Sequence, residues 1–206
     1  MNLTPALEAS ATALERNADE LTRLDALTGD GDLGRTALRI ATALRAAAAT
    51  GETDAHALLL EAGKLVAIGA ASSCGTLVGT GLMAAGKADA EGDGQAQLAA
   101  GLSAAAEAIQ KRGKSAVGDR SLLDALAAAA AAATASGLSP ADYSSGIVSA
   151  VNAGAAATSD MVPRIGRARA HPEQAKGNPD AGAVLIAVAL SAALDSAATT
   201  ARPDRH

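Results

Sequence analysis

Residues 25–34 read Asp-Ala-Leu-Thr-Gly-Asp-Gly-Asp-Leu-Gly, an acidic and glycine-rich segment set between two apolar stretches. Before it, leucine and alanine recur every three or four positions from residue 7 to residue 24, and a similar pattern follows over residues 35–49. This spacing places the apolar side chains on one face of a helix. Two amphipathic helices joined by a polar turn predict a helical fold, and the rest of the chain repeats the arrangement.

Alanine dominates the apolar part of the composition. The 206-residue chain is 49% hydrophobic, yet it has no Trp, no Phe and a single Tyr, Tyr143. Strands favour β-branched and aromatic side chains, whereas alanine has the highest helix propensity. A core of alanine and leucine packs well only where helices approach closely. The composition therefore predicts an all-α protein.

Charge and cysteine content exclude several classes of protein. The net charge is −5, with acids and bases spread along the chain, so no basic face marks a nucleic-acid partner. Cys74 is the sole cysteine, which excludes an internal disulfide and a multi-cysteine zinc site. The N-terminus lacks a signal-peptide pattern, and the most apolar stretch, 181–194, is too short to span a bilayer. We expect a cytoplasmic protein that binds neither nucleic acid nor membranes.

Helix start and stop signals divide the chain into eight segments. Thr4-Pro5 and Ser139-Pro140 read as a cap followed by proline in the first turn, and Gly29 and Gly137 follow helix ends. No linker divides the chain, so residues 1–206 are predicted to form one domain, an antiparallel up-and-down bundle or closed barrel. The predicted helices cover residues 5–27, 35–49, 53–68, 75–87, 95–110, 120–135, 139–157 and 179–199.

Most glycines and charges outside the helix faces fall in four of the connections. These are residues 28–34, 69–76, 112–120 and 158–181, and they follow the first, third, fifth and seventh predicted helices. In an antiparallel array, alternate connections lie at the same end. The four loops are therefore expected to form one composite site.

The first loop carries three carboxylates, Asp25, Asp30 and Asp32, within eight residues. Hard oxygen ligands on a flexible glycine-rich segment suit magnesium, although Gly-Asp-Gly-Asp is also ordinary turn chemistry. A metal site and a solvated turn both remain open at this point. An EF-hand is excluded because Arg35 occupies the position that the EF-hand loop reserves for glycine.

The other loops each have a functional and a purely structural interpretation. Residues 69–80 combine small residues and hydroxyls at a helix start, which fits a bound phosphate or a close helix crossing. In the third loop, Asp119 or Ser121 is expected to cap a helix. The fourth loop holds arginines that could neutralise charge in phosphoryl transfer or lie on the surface. Residues 81–87 are no P-loop, since Ala88 stands where Ser or Thr must hold magnesium.

Taken together, the four loops resemble the nucleotide-binding (L) subunit or domain of the dihydroxyacetone kinase family. The matching segments are Leu24-Asp25 with Gly29-Asp-Gly-Asp-Leu-Gly34, then Ala71-Ser-Ser-Cys-Gly-Thr-Leu-Val-Gly-Thr80, Val117-Gly-Asp-Arg-Ser-Leu-Leu-Asp-Ala-Leu126, Gly166-Arg-Ala168 and Asp180-Ala-Gly-Ala183. They occur in the family's order and cover about residues 20–190.

The resemblance implies an eight-helix barrel that binds ADP or ATP at its loop end. It assigns Asp25, Asp30 and Asp32 to two magnesium ions and gives Arg167 a catalytic role at the phosphates. Departures from the family pattern occur at Leu33, Cys74, Leu122, Ala175 and Ala181, which indicates a divergent but active member. The implied nucleotide-binding residues are Leu33, Gly34, Arg35, Thr36, Ser73, Cys74, Gly75, Gly113, Leu122, Arg167, Asp180, Ala181 and Gly182.

The implied function is a phosphotransferase subunit. It would deliver the terminal phosphoryl group to dihydroxyacetone, or to a similar short ketose or polyol, held by a separate K-type subunit. The donor would be ATP, or bound ADP recharged by a phosphohistidine carrier of the phosphotransferase system. Two alternatives remain: a nucleotide-binding regulatory subunit without turnover, which Leu33 favours, and a fatty-acid-kinase-like nucleotide domain, which the chain end at Arg202–His206 disfavours.

Overall fold

The computed structural model describes residues 2–135 and 142–200, with the backbone alone over 198–200. Within these ranges the chain forms α-helices and two 3-10 turns and no strand, which confirms the all-α prediction. None of the described helices combines the length and apolarity needed to cross a membrane. The helices are α1 (Thr4–Arg16), α2 (Ala18–Ala26), α3 (Leu33–Ala48), α4 (Ala55–Gly69), α5 (Ser73–Lys87), α6 (Gly94–Gly113), α7 (Leu122–Thr134), α8 (Tyr143–Ala157), α9 (Pro172–Ala175) and α10 (Ala181–Thr200).

The long helices form a closed ring in which each helix packs against its neighbours in sequence. The order runs α1, α3, α4, α5, α6, α7, α8 and α10, and α10 packs back against α1. Helix α2 follows α1 in the chain and packs on α3. Adjacent helices of the ring run antiparallel, as in an up-and-down bundle, and most of the connections between them are short. The predicted eight-helix barrel is confirmed.

The first predicted helix, 5–27, is in fact two helices separated by Asn17. The Asn17 side-chain amide and its backbone N–H both donate to the carbonyl oxygen of Ala13, at 2.8 and 3.1 Å. Asparagine competes for backbone carbonyls in this way and interrupts helices. At the N-terminus Thr4 is the first helical residue and not the cap, which is Leu3.

The remaining boundaries differ from the predictions by a few residues where caps act. Helix α7 begins at Leu122, because Ser121 and Asp124 form a capping box there. The short helix α9 lies inside the fourth loop, where none was predicted. The predicted start of the seventh helix at Ser139-Pro140, with Gly137 before it, falls outside the described residues.

Glycines let α4 and α5 approach closely along the barrel wall. A Cβ on Gly63 would lie 2.8 Å from the carbonyl oxygen of Gly79, and a Cβ on Gly79 would lie 2.8 Å from that of Gly63. Real side chains do not tolerate these distances, so the two backbones pack against each other directly. Close helix approach is what an alanine-rich core without aromatic bulk requires.

The barrel interior is apolar and contains a cavity of about 510 Å³. Aliphatic side chains such as Leu7, Leu14, Ile40 and Leu82 line it, and it reaches toward the end where α1 begins. The charged loops lie at one end of the barrel, and the apolar interior extends from them toward the opposite end.

Candidate metal and nucleotide site

The acidic loop gathers its three carboxylates into one cluster. Asp25, Asp30 and Asp32 each offer an oxygen, and these oxygens lie within 4.8 Å of one another. One oxygen of Asp25, Oδ2, also accepts the backbone N–H groups of Asp32 at 2.9 Å and Leu33 at 3.3 Å. The loop thus folds back on α2 and turns Asp30 and Asp32 toward Asp25.

Two glycines allow this loop conformation. Gly31 has φ +69°, a left-handed conformation that side chains other than glycine rarely adopt. A Cβ on Gly29 would lie 2.5 Å from Oδ1 of Asp25. The backbone conformation of this loop therefore positions the three carboxylates. Their hard oxygen donors fit a magnesium ion that keeps water or phosphate as further ligands.

Four helices begin at the end of the barrel that carries the acidic loop: α3, α5, α7 and α10. Helix N-termini carry partial positive charge and N–H groups without an intrahelical acceptor. At α5, Ser72 Oγ accepts the N–H of Gly75 at 3.0 Å, which leaves the N–H groups of Ser73 and Cys74 for an external acceptor. Ser72 also receives the hydroxyl of Thr36 at 3.3 Å and so joins α5 to α3. This end of the barrel suits an anion bound beside a cation.

Cys74 lies among the negative charges of the site. Burial, together with the nearby carboxylates of Asp180, Asp25 and Asp32, raises the pKa of its thiol to about 12. These influences place the start of α5 near both the acidic loop and Asp180. The thiol remains protonated at neutral pH, so Cys74 is no nucleophile here.

Arginines link the acidic loop to its neighbours. Arg167, in the 3-10 turn Arg167–Ala170, forms an ion pair with Asp30. Arg35 lies 3.6 Å from Asp32. The fourth loop is therefore in contact with the first, and a guanidinium lies where phosphate charge would need neutralising.

The start of α10 packs on the start of α7. A Cβ on Gly182 would lie 3.3 Å from that of Leu122, and both Leu122 and Ala181 are buried. Asp180 Oδ1 accepts the N–H of Ala183 at 2.9 Å. Burial raises the pKa of Asp180 to about 6, against the opposing effects of this hydrogen bond and of Arg120.

The other predicted binding residues lie around the same end. Gly113, the last residue of α6, faces Leu77 of α5, since a Cβ there would lie 3.5 Å from Leu77 Cδ2. Gly34 packs on α2, because a Cβ would lie 2.2 Å from the carbonyl oxygen of Ala18. The side chain of Leu33 is buried in the apolar core, and its backbone N–H donates to Asp25 of the acidic loop.

Three residues of this end were not singled out by the sequence: Ser72, Arg120 and Asp124. Ser72 caps α5, and Asp124 accepts the N–H groups of Gly118 at 2.5 Å and Ser121 at 2.7 Å. Arg120 is buried with 3% of its surface exposed. Both Arg120 and Asp124 lie in the matched segment 117–126. Their charges within that motif were the feature from which the sequence could have identified them.

The chain belongs to the DAK2 domain family, since the family profile matches residues 27–195. This confirms the resemblance to the dihydroxyacetone kinase L subunit. The chain is similar to the D-erythrulose kinase of Mycolicibacterium smegmatis, with 34% identity over 198 residues, which is 92% of this chain and 34% of that protein. It is 29% identical over 187 residues to the PEP-dependent dihydroxyacetone kinase 2, ADP-binding subunit DhaL, of Listeria innocua, and this match covers 85% of each chain.

Among solved structures, the dihydroxyacetone kinase from C. freundii in complex with AMP-PNP and Mg²⁺ has the same fold. The TM-score is 0.72 at 25% identity, over 94% of this chain and 33% of that one. The chain thus spans 34% of the length of the erythrulose kinase and a similar share of the C. freundii enzyme. It therefore matches about a third of each of these longer proteins.

Proposed function

We propose that this chain is the nucleotide-binding subunit of a short-ketose kinase. It binds magnesium with ADP or ATP at the four-loop end of the barrel and delivers the terminal phosphoryl group to an acceptor held by a separate K-type subunit. The observation that carries this proposal is the convergence of the Asp25–Asp30–Asp32 cluster, Arg167 and the N-termini of α3 and α5.

Each component has a definite role in phosphoryl transfer. Asp25, Asp30 and Asp32 would hold one or two magnesium ions, which neutralise phosphate charge when bound. The N–H groups that begin α3 and α5 would hold the phosphate oxygens. Arg167 would leave Asp30 for the transferring phosphoryl group and stabilise its developing charge. Leu122, Gly113 and residues 180–182 would enclose the nucleoside.

The acceptor is proposed to be dihydroxyacetone or a similar short ketose or polyol. The similar proteins include kinases named for erythrulose and dihydroxyacetone, and they support this substrate class. The donor is proposed to be ATP, or ADP recharged by a phosphohistidine carrier, as the PEP-dependent system of the Listeria relative suggests.

Docking of a K-type subunit at this end is supported by its apolar rim. Among the described residues, the exposed large hydrophobic side chains are Leu38, Ile68, Val117 and Val162. All four belong to the first turns of α3, the end of α4 or the third and fourth loops, which is the end of the acidic cluster. Exposed apolar side chains that rim a polar site are typical of a protein interface.

Reconstituted transfer tests the proposal. The purified chain is mixed with a K-type subunit from the same genome and with a short ketose, and either ATP or phosphoenolpyruvate with its carrier proteins is supplied. Ketose phosphate should form with one donor, and Asp30→Ala should abolish it. Asp19→Ala changes an exposed acid of α2 and serves as the matched control. Loss of activity in both variants, or in neither, contradicts the assignment.

A regulatory subunit without turnover is the competing function, and Leu33 favours it. The family places a polar residue there, whereas this side chain is buried in the core. If the chain binds magnesium and ADP but transfers no phosphate with a K-type subunit and either donor, the regulatory function should replace the catalytic one.

The apolar rim gives a separate prediction about the partner. Val162→Asp places a charge on an exposed rim position and should weaken binding of the K-type subunit at least about tenfold, because the charge must lose water in the interface. Thr53→Asp adds the same charge to an exposed position of the α3–α4 connection and should leave binding unchanged. Surface plasmon resonance on both variants measures the difference. Equal affinities would exclude Val162 from the interface.

A further inference from the structure

Arg120 combines burial with an unfavourable backbone conformation. Its side chain is 2% exposed, and its φ of +63° lies in the left-handed region that non-glycine residues rarely adopt. A buried guanidinium is expensive to desolvate, and an apolar residue of similar volume is often more stabilising. Two unfavourable features at one residue, next to a proposed site, indicate a role other than stabilising the fold.

The Arg120 side chain reaches from the start of α7 into the end of the fourth loop. Its Nη2 donates to the backbone carbonyl oxygen of Asn178 at 2.9 Å and to that of Ala175 at 3.3 Å. Its Nη1 lies 3.8 Å from Oδ2 of Asp180. A single side chain therefore contacts the segment 175–180 at three residues, Ala175, Asn178 and Asp180, just before α10.

The charge of Arg120 is directed at Asp180. Asp124 lies on the same turn, but its two oxygens already accept the N–H groups of Gly118 and Ser121. Within the described part of the chain, Nε and Nη1 of Arg120 donate to no hydrogen-bond acceptor. Asp180 is the carboxylate in ion-pair range of Nη1, so the buried guanidinium attracts it across 3.8 Å.

The residue before Arg120 holds the other part of the same loop. The carbonyl oxygen of Asp119 accepts the N–H of Arg164 at 3.1 Å. Residues 119 and 120 thus fasten the fourth loop at Arg164 and again at residues 175–180. Arg167, which meets Asp30, lies between these two attachments.

We propose that Arg120 is a positioning residue for the nucleotide site, fixing residues 175–180 and Asp180 against α7 so that the fourth loop is set for nucleotide before it binds. This inference rests on the proposed nucleotide site. Arg120 touches neither the acidic cluster nor Arg167, so it acts through the loop and not on the metal. Its loss should weaken nucleotide binding and leave binding of the metal alone intact.

The first measurement uses the wild-type chain without nucleotide. Hydrogen-exchange mass spectrometry should show protection over residues 175–180, where the N–H groups of Gly177 and Asp180 donate to Ser159 and Thr158. Rapid exchange throughout this segment would overturn the proposal without any variant being needed. Protection would support it.

The second measurement uses Arg120→Lys, which keeps the positive charge but loses the planar guanidinium group with its several N–H donors. Exchange over residues 175–180 should rise while α3 and α4 stay protected. By calorimetry, affinity for ADP in magnesium should fall about tenfold or more, and affinity for Mn²⁺ alone should stay within about twofold of wild type. Arg45→Lys, an arginine paired with Glu8 and Glu15 on the outer surface, is the matched control.

The outcomes separate the two proposals. If wild type binds no ADP in magnesium, the proposed function fails, and the Arg120 inference fails with it. If wild type binds ADP and Arg120→Lys binds it equally tightly, only the Arg120 inference fails. Exchange that rises equally in all helices, with Mn²⁺ and ADP affinity falling together, would make Arg120 an ordinary core residue.

Discussion

Asp32 at the site end of the barrel differs from the two aspartates that begin helices at the opposite end. At the end away from the acidic loop, Asp54 caps α4 through the N–H of Ala57, and Asp93 caps α6 through those of Gln95 and Ala96. At the site end, Asp32 occupies the cap position of α3 and makes no side-chain capping bond. Its carboxylate faces Asp25 and Asp30 instead. Asp32 therefore leaves the start of α3 without a side-chain cap and lies with Asp25 and Asp30 in the cluster that we propose holds a metal ion.

The ends differ in their connections as well. The carboxylates of Asp54 and Asp93 accept N–H groups two or three positions further along the chain, so each of these turns is held locally. At the site end, contacts join residues far apart in sequence, as between Arg167 and Asp30 or between Arg120 and Asn178. Long-range polar contacts make the site end dependent on the whole barrel, whereas local caps need only their own helix.

The largest expected effect separates the carboxylates of the two ends. Asp25→Ala should weaken ADP binding in magnesium by at least about a hundredfold, because it removes a proposed metal ligand. Asp93→Ala should leave that affinity unchanged and lower the free energy of unfolding by about 1 kcal/mol, the usual cost of a lost cap. Calorimetry and urea unfolding measure the two quantities. Equal effects on binding would abolish the distinction between the ends.

Glycines give the next largest effect. A Cβ on Gly34 would lie 2.1 Å from Thr22 Oγ1, whereas a Cβ on Gly94 at the opposite end meets nothing within 4 Å. Gly34→Ala should lower the free energy of unfolding by about 1–3 kcal/mol through overpacking. Gly94→Ala should raise it by about 0.4–1 kcal/mol. Thermal unfolding of both variants provides the comparison, and a neutral Gly34→Ala would contradict the close packing of α3 on α2.

A smaller effect concerns pH. Burial raises the pKa of Asp180 from 3.8 to about 6, so the folded state keeps this proton to higher pH than the unfolded state does. The Asp180 contribution to the free energy of unfolding should therefore fall as pH rises from about 4 to about 6.

Asp180→Asn cannot titrate at this position. Its stability relative to wild type should increase across that pH range by on the order of 1–2 kcal/mol, measured by urea unfolding at a series of pH values. A constant difference between the two proteins would show that Asp180 is not the buried carboxyl of the site end.

The fold was largely predictable because helix signals in this chain are local. Alanine-rich periodicity, a cap-and-proline signal such as Thr4-Pro5 at a helix start, and glycine at helix ends predict the ring with small errors. The break at Asn17 was missed because an asparagine within a regular apolar pattern resembles a surface position. The helix α9 was missed because Pro172–Ala175 is too short to show a period.

The candidate site was predictable only in part. Asp25, Asp30 and Asp32 stand close in sequence, so their clustering could be expected, and the alternation of loops placed Arg167 at the same end. Arg120 could not be identified, because its partners lie 55 and 58 residues away and its burial depends on how α10 meets α7. The interior position of Leu33 likewise follows from the register of α3, which the sequence shows only approximately.

Calorimetric titration of ADP into the wild-type chain, with magnesium and then with excess chelator, tests the central claim most directly. The acidic cluster and the helix N-termini beside it predict saturable binding of ADP in magnesium that disappears when the metal is removed. Binding that is absent in magnesium, or that is unchanged by the chelator, would contradict the claim that the site end of this barrel holds a metal–nucleotide complex.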